Sequence, residues 1–161
     1  MIHHIRVVCA VVLVLIGSYT RAEPEQEVEL WYRSYAAHWF GAEVDIDAVA
    51  KFYASPFYYL SAKGPLLDTG DTMKGSLESY AQTWKSDGWA GAKLLDIEVR
   101  MLNESSAMIL TEWDIYRADG SSVIDCPRAP WTYLAAKTEE GWKLTLEIEI
   151  DCNQKIVLGS N

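Results

Sequence analysis

His38 and a set of carboxylates in the second half are the residues of this 161-residue chain whose types suit acid–base or metal chemistry. A histidine titrates near neutrality and serves as a general acid or base. His38 stands three residues after Tyr35 and beside Trp39, so a helix here would place imidazole and phenol on neighbouring positions of its surface. A histidine that merely closes the helix end has the same spacing, and both readings stay open. Asp96, Glu98, Glu112, Asp114, Glu147 and Glu149 form an oxygen-rich set of the kind that holds Ca²⁺ or Mg²⁺. Each, however, alternates with apolar residues along a strand pattern. The expectation is a convex face turned to solvent or to a partner, with Arg100 and Lys143 as counter-charges, and no metal site. Nothing in the sequence calls for a cofactor.

The N-terminus alters the charge and histidine counts. A weakly basic start ending in Arg6 is followed by an uninterrupted apolar run over residues 7–17, then by Thr20-Arg21-Ala22 with small residues at the −3 and −1 positions. This is the tripartite export pattern. A membrane span needs about 20 apolar residues, and this run is too short. The reading is a cleavable signal peptide over 1–22, a single domain over 23–161, and a periplasmic or extracellular location. Cleavage removes Cys9, His3 and His4, so His38 is the one mature histidine and a multi-histidine metal site is excluded. Loss of Arg6 and Arg21 from 14 basic residues leaves 12 against 23 acidic, a formal charge of −11. Such a field repels phosphate backbones and anionic lipid surfaces, so neither nucleic acid nor membrane is an expected partner after cleavage.

Cys126 and Cys152 remain, an even count that reads as a disulfide in an exported chain, against the alternative of two buried thiols. The pattern supports the bridge. Two strands, 131–137 and 142–152, flank Thr138-Glu139-Glu140-Gly141, and folding them back sets Cys152 opposite Pro127 or Arg128.

These residues need elements to hold them. Val28, Tyr32, Tyr35 and Trp39 recur at spacings of four, three and four, a helical stripe that Pro24 starts and Gly41 ends. Asp45 caps a second helix over 46–53. Residues 57–60 and 66–69 are short strands, and a third helix from Asp71 or Thr72 carries Met73, Leu77, Tyr80, Ala81 and Trp84 inward. Strands follow at 93–102 and 107–117, then one leading through Val123-Ile124 to Cys126 and resuming at 131–137, then the last. The last alternates Leu144, Leu146, Ile148 and Ile150 against Lys143, Thr145, Glu147 and Glu149. The class is α+β, with one sheet face packed and the other solvated.

This order resembles the nuclear transport factor 2-like superfamily, which includes SnoaL-like and ketosteroid isomerase-like proteins. Three stretches carry the likeness: Leu30-Trp31-Tyr32-Arg33-Ser34-Tyr35, the 44–54 segment V-D-I-D-A-V-A-K-F-Y-A, and the 137–144 hairpin K-T-E-E-G-W-K-L. It covers nearly the whole mature chain and implies a cone-shaped, strongly curved antiparallel sheet wrapped around three N-terminal helices. Function does not follow, because the superfamily hosts many activities. An isomerase of this type uses a carboxylate base in the first strand and oxyanion donors opposite it. Counting from Tyr53-Ala54 puts the base position at Ser61, which is no base. Counting back from Gly141 puts the acid position at Tyr133, and the helix-one phenol falls on Tyr35.

A hollow cone would be lined by Tyr32, Tyr35, Trp39, Tyr53, Tyr58, Ser61, Trp84, Trp113 and Tyr133, although the same aromatics could simply fill a core. The leading expectation is an exported domain that binds a small, mostly apolar molecule. One alternative is a SnoaL-like lyase, isomerase or cyclase using Tyr35, His38 and Tyr133. Another is a non-catalytic module that forms homodimers through the convex sheet face.

Overall fold

Pro24 fixes the first turn of α1 (Pro24–Ala37), and Glu25 and Glu27 sit at the positive end of its dipole. The computed structural model describes residues 23–153. The signal peptide expected over 1–22 lies outside the described residues. The stripe of α1 is buried as its spacing requires: Val28, Tyr32, Tyr35 and Trp39 all lie in the core. Asp45 caps α2 (Ile46–Ala50), its carboxylate accepting from the Ala48 amide at 3.0 Å.

The second helix stops three residues earlier than its sequence pattern suggests. The Phe52 carbonyl accepts from the Leu144 amide at 2.7 Å, and Tyr53 pairs with Leu144 in the sheet. Tertiary pairing thus overrides local helical preference. β1 (Tyr53–Ser61) is correspondingly long and turns into β2 (Gly64–Asp68). Thr69 and Thr72 form a reciprocal capping box that starts α3 (Gly70–Ser86).

β3 (Trp89–Asn103), β4 (Ser106–Arg117), β5 (Ala129–Thr138) and β6 (Gly141–Glu149) complete one six-stranded sheet. The order is β2-β1-β6-β5-β4-β3, antiparallel throughout except for the parallel β1–β6 pair. Register shifts at Trp89/Gly91, Leu94/Asp96 and Met101/Asn103 bend β3. The class is α+β, with an unclosed curved sheet and the helices on its inner face.

The strand expected through Val123-Ile124 does not form. Only Tyr116 and Ser122 bridge there. The Arg117 guanidinium instead gathers the loop, donating to the carbonyls of Ser122, Val123 and Asp87. The Cys126–Cys152 disulfide is present, with Cα atoms 6.0 Å apart.

Gly91 marks where the end of α1 crosses the sheet. A Cβ there would lie 2.7 Å from the Gly41 amide nitrogen and 2.6 Å from the Tyr116 hydroxyl. Only glycine permits this approach. The neighbouring Ala92 amide donates to the Trp39 carbonyl at 2.9 Å, which fixes Trp39 over β3.

Candidate functional site

The inner face of the sheet, the end of α1 and α3 line a cavity of about 150 Å³. An engineered cavity of about this size admits benzene. The wall is aromatic: Trp39, Trp84, Trp113 and Trp131 with Tyr35, Tyr53, Tyr59, Tyr80 and Tyr133. Its ionisable carboxyls are Asp68 and Glu147, and no lysine, arginine or histidine lines it among the described residues. It opens onto a wider groove of about 1080 Å³, bordered by Ser61, Lys63, Glu149 and both cysteines of the disulfide.

Strand pairing explains which side chains meet. Leu66, Tyr59, Glu147, Tyr133, Ile109 and Val99 follow one another across all six strands, from β2 to β3. Residues paired in this way share a face, and Tyr133 faces the helices. Glu147 therefore faces inward, which corrects the expectation that it joins a solvated acidic face. The cause is a bulge. Ala135 pairs with Leu144 but Tyr133 with Glu147, so β6 spends three residues where β5 spends two. The extra residue reverses the in–out alternation. Leu144 is fully buried, yet Leu146 and Ile148 turn to the outer face. Thr145 sits in the bulge and its hydroxyl donates to the Leu134 carbonyl at 3.1 Å.

Burial pushes the Glu147 carboxyl up to about 8, and the neighbouring negative charge of Glu149 adds to the effect. At neutral pH this group is mostly a neutral carboxylic acid. Burial also raises the Tyr133 phenol, with Glu147 as the next contributor. Tyr35 and Tyr53 join their hydroxyls at 2.7 Å, and burial holds both phenols neutral. The Tyr59 hydroxyl donates to Glu149 at 3.0 Å, and the Ser76 hydroxyl to Asp68 at 2.8 Å. Trp113 is oriented by a short chain: its indole N–H donates to Thr111 at 3.1 Å, and Thr111 donates to the Trp131 carbonyl at 3.2 Å. The indole N–H groups of Trp89 and Trp131 are sealed from solvent without a hydrogen-bond partner among the described residues. Such groups cost free energy unless something answers them.

Of the residues singled out from the sequence, Tyr35, Trp39, Tyr53, Trp84, Trp113 and Tyr133 meet at the cavity. Tyr32 packs behind them, its ring 5.2 Å from those of Tyr35 and Tyr133. Tyr58 points outward and is 47% exposed, because Phe57 and Tyr59 take the inward positions of β1. Ser61 reaches only the outer groove, hydrogen-bonded within its own turn to Gly64 and Lys63. His38 is not brought to the cavity. It caps α1, and its ring lies 5.6 Å from Phe52. At about 100° per residue, Trp39 lies about 40° from Tyr35 around the helix and His38 about 60° the other way, so Trp39 takes the inward slot.

Glu147, Asp68, Tyr59, Tyr80 and Trp131 were missed as site residues. Trp131 was within reach, since it lies two residues from Tyr133 and shares its face. Tyr80 stood in the inward stripe of α3. Nothing in the local sequence of β6 announces the bulge that turns Glu147.

Among curated proteins none matches the chain. An NTF2-like protein of unknown function from Shewanella oneidensis shares 21% identity at a TM-score of 0.59, over 78% of this chain and 98% of that one. A domain of unknown function with a cystatin-like fold from Nostoc punctiforme shares 14% identity at a TM-score of 0.61, over 85% and 82%. An NTF2-like protein with a cystatin-like fold from Novosphingobium aromaticivorans shares 13% identity at a TM-score of 0.59, over 81% and 88%. These likenesses speak to the fold. A sequence model of the family described as NTF2-like protein (DUF6841) matches residues 25–149, nearly all of the described chain, and on that ground the chain belongs to this NTF2-like family.

Proposed function

We propose that this is an exported domain that binds a small, mostly apolar molecule in the aromatic cavity. The observation that carries the reading is the composition of the wall: rings throughout, with a few polar groups converging on the same space. A flat ring system packs against indole and phenol faces. Export is supported by the disulfide and by the leader-like start of the sequence. No described helix is long and apolar enough to cross a membrane. The test is native mass spectrometry of the protein purified from its own host. A retained small molecule, lost on unfolding, supports the reading. Protein that stays empty, with indole fluorescence unmoved by a panel of flat apolar compounds, refutes it.

A second reading, acid–base catalysis, is favoured by one observation. Glu147 is a carboxyl whose affinity for its proton is set near neutrality, directly across from the Tyr133 phenol. It would act as lyase, isomerase or cyclase with Tyr35 and Tyr133, while His38 stands too far round α1 to share the cavity. Glu147→Gln separates the two readings once a ligand is found: a catalyst loses its chemical rate, whereas a binder has none to lose.

We also propose homodimerisation through the outer sheet face. The bulge puts Leu146 and Ile148 beside Leu134, Met108 and Leu60 there, a half-exposed apolar surface that no described helix covers.

A further inference from the structure

We propose that the cavity selects an organic cation: an aromatic or arylalkyl amine whose ammonium group pairs with Glu147. This rests on the ligand-binding reading above and names the ligand class. Three observations converge on it. First, the wall combines four indoles and five phenols with two carboxyls and no cationic side chain among the described residues. Aromatic faces attract ammonium groups, most strongly when water is excluded. Second, of the two carboxyls, Asp68 is already answered by Ser76, whereas no described cation pairs with Glu147. Glu147 meets its withdrawal from water by keeping its proton, and with no protein cation at hand only a cationic ligand could take that proton's place. Third, the chain is acidic, with 23 acidic against 14 basic residues, and Glu149 borders the groove outside, so the field draws cations towards the opening.

Binding would be coupled to a proton. Free Glu147 holds a proton up to about pH 8. The groups that act on it from the packed elements are Tyr32 and Tyr35 of α1, Tyr53 and Tyr59 of β1, Tyr80 of α3, Tyr133 of β5 and Glu149 of its own strand, with Asp68 of β2 across the cavity. The phenols are all held neutral, so none supplies a competing charge in this range. When an ammonium group enters, Glu147 releases its proton to solvent and the ion pair replaces the O–H bond. Cation affinity therefore rises from pH 6 to about pH 8 and then levels.

The experiment uses the disulfide-intact chain and three probes on one scaffold: tyramine (cation), tyrosol (neutral alcohol) and 4-hydroxyphenylacetate (anion). Isothermal titration at pH 8 should show tyramine binding at least about tenfold tighter than tyrosol, the scale of one charge-assisted hydrogen bond, and the anion weakest. At pH 7, titration in buffers of different ionisation enthalpy should report proton release with tyramine and none with tyrosol. Glu147→Gln should bring the tyramine-to-tyrosol ratio down to about one. Equal or tighter binding of tyrosol, or tighter binding of the anion, overturns the inference but leaves the ligand-binding pocket standing. Failure of all three probes with wild-type protein overturns both.

Discussion

Glu147 lies directly opposite Tyr133 in the β5–β6 pair, on the face that looks at the helices. A single extra residue in β6 puts it there. Without that residue an aliphatic side chain would fill the position and the cavity would hold one carboxyl, Asp68. The pairing therefore decides whether the hollow offers an unpaired ionisable group.

The first prediction concerns pH and stability. Glu147 titrates near 4.5 in an unfolded chain and at about 8 when folded. Its folded value is raised, so its contribution is fully present below pH 4.5 and is lost as pH climbs towards 8. In that window the folded state holds the extra proton, and each unit costs up to about 1.4 kcal/mol. Thermal unfolding from pH 4 to 9 should show this decline, and Glu147→Gln should flatten it and raise Tm at pH 8. Parallel profiles for the two proteins would show that the folded chain does not hold this carboxyl's proton.

A second prediction follows from the Tyr35–Tyr53 hydroxyl pair at 2.7 Å. Replacing either by Phe strands the other buried hydroxyl, at about 1 kcal/mol each. Replacing both should cost less than the sum of the two single changes. Urea unfolding of the four proteins measures the coupling, and strict additivity would contradict the bond.

The disulfide gives a third. Cys126 and Cys152 are 26 residues apart in sequence, and a loop of that size is worth about 3.5 kcal/mol on the chain-entropy model. Cys152→Ser should lower Tm by several degrees. It should also loosen the groove outside the cavity more than the cavity itself, because both cysteines border that groove. Hydrogen exchange on the 123–130 segment, compared with β4, reads this out.

The fourth prediction tests the outer face. Leu134 lies between Met108 and Leu146 in cross-strand register. Leu134→Arg should convert a dimer to a monomer in sedimentation equilibrium while leaving the far-ultraviolet circular dichroism unchanged. A wild-type protein that is monomeric at high micromolar concentration would refute the interface.

Much of the architecture was written in local chemistry. The stripe Val28, Tyr32, Tyr35, Trp39 specifies α1 and its buried side, because helical periodicity is a property of adjacent turns. Asp45 as a cap, the α3 stripe through Met73 and Leu77, the β5–β6 hairpin at Gly141 and the Cys126–Cys152 pair were legible for the same reason: each depends on neighbours in sequence or on simple counting. The six aromatics that do meet at the cavity were found because ring-rich stripes must face something apolar.

What tertiary structure alone decided is the parity of β6 and the fate of three side chains. In-and-out alternation is read by assuming an unbroken ladder, and a bulge breaks it at the cost of one unpaired residue that the partner strand must accommodate. That accommodation is set by β5 and β1 together and not by the sequence around Thr145, so Glu147 was placed with the solvated acids. His38 was lost to the cavity by its angle around a helix end, and Tyr58 by the parity of a strand whose register β6 dictates. The sequence determined that aromatic rings would surround a space. Long-range strand pairing determined which ionisable group they surround.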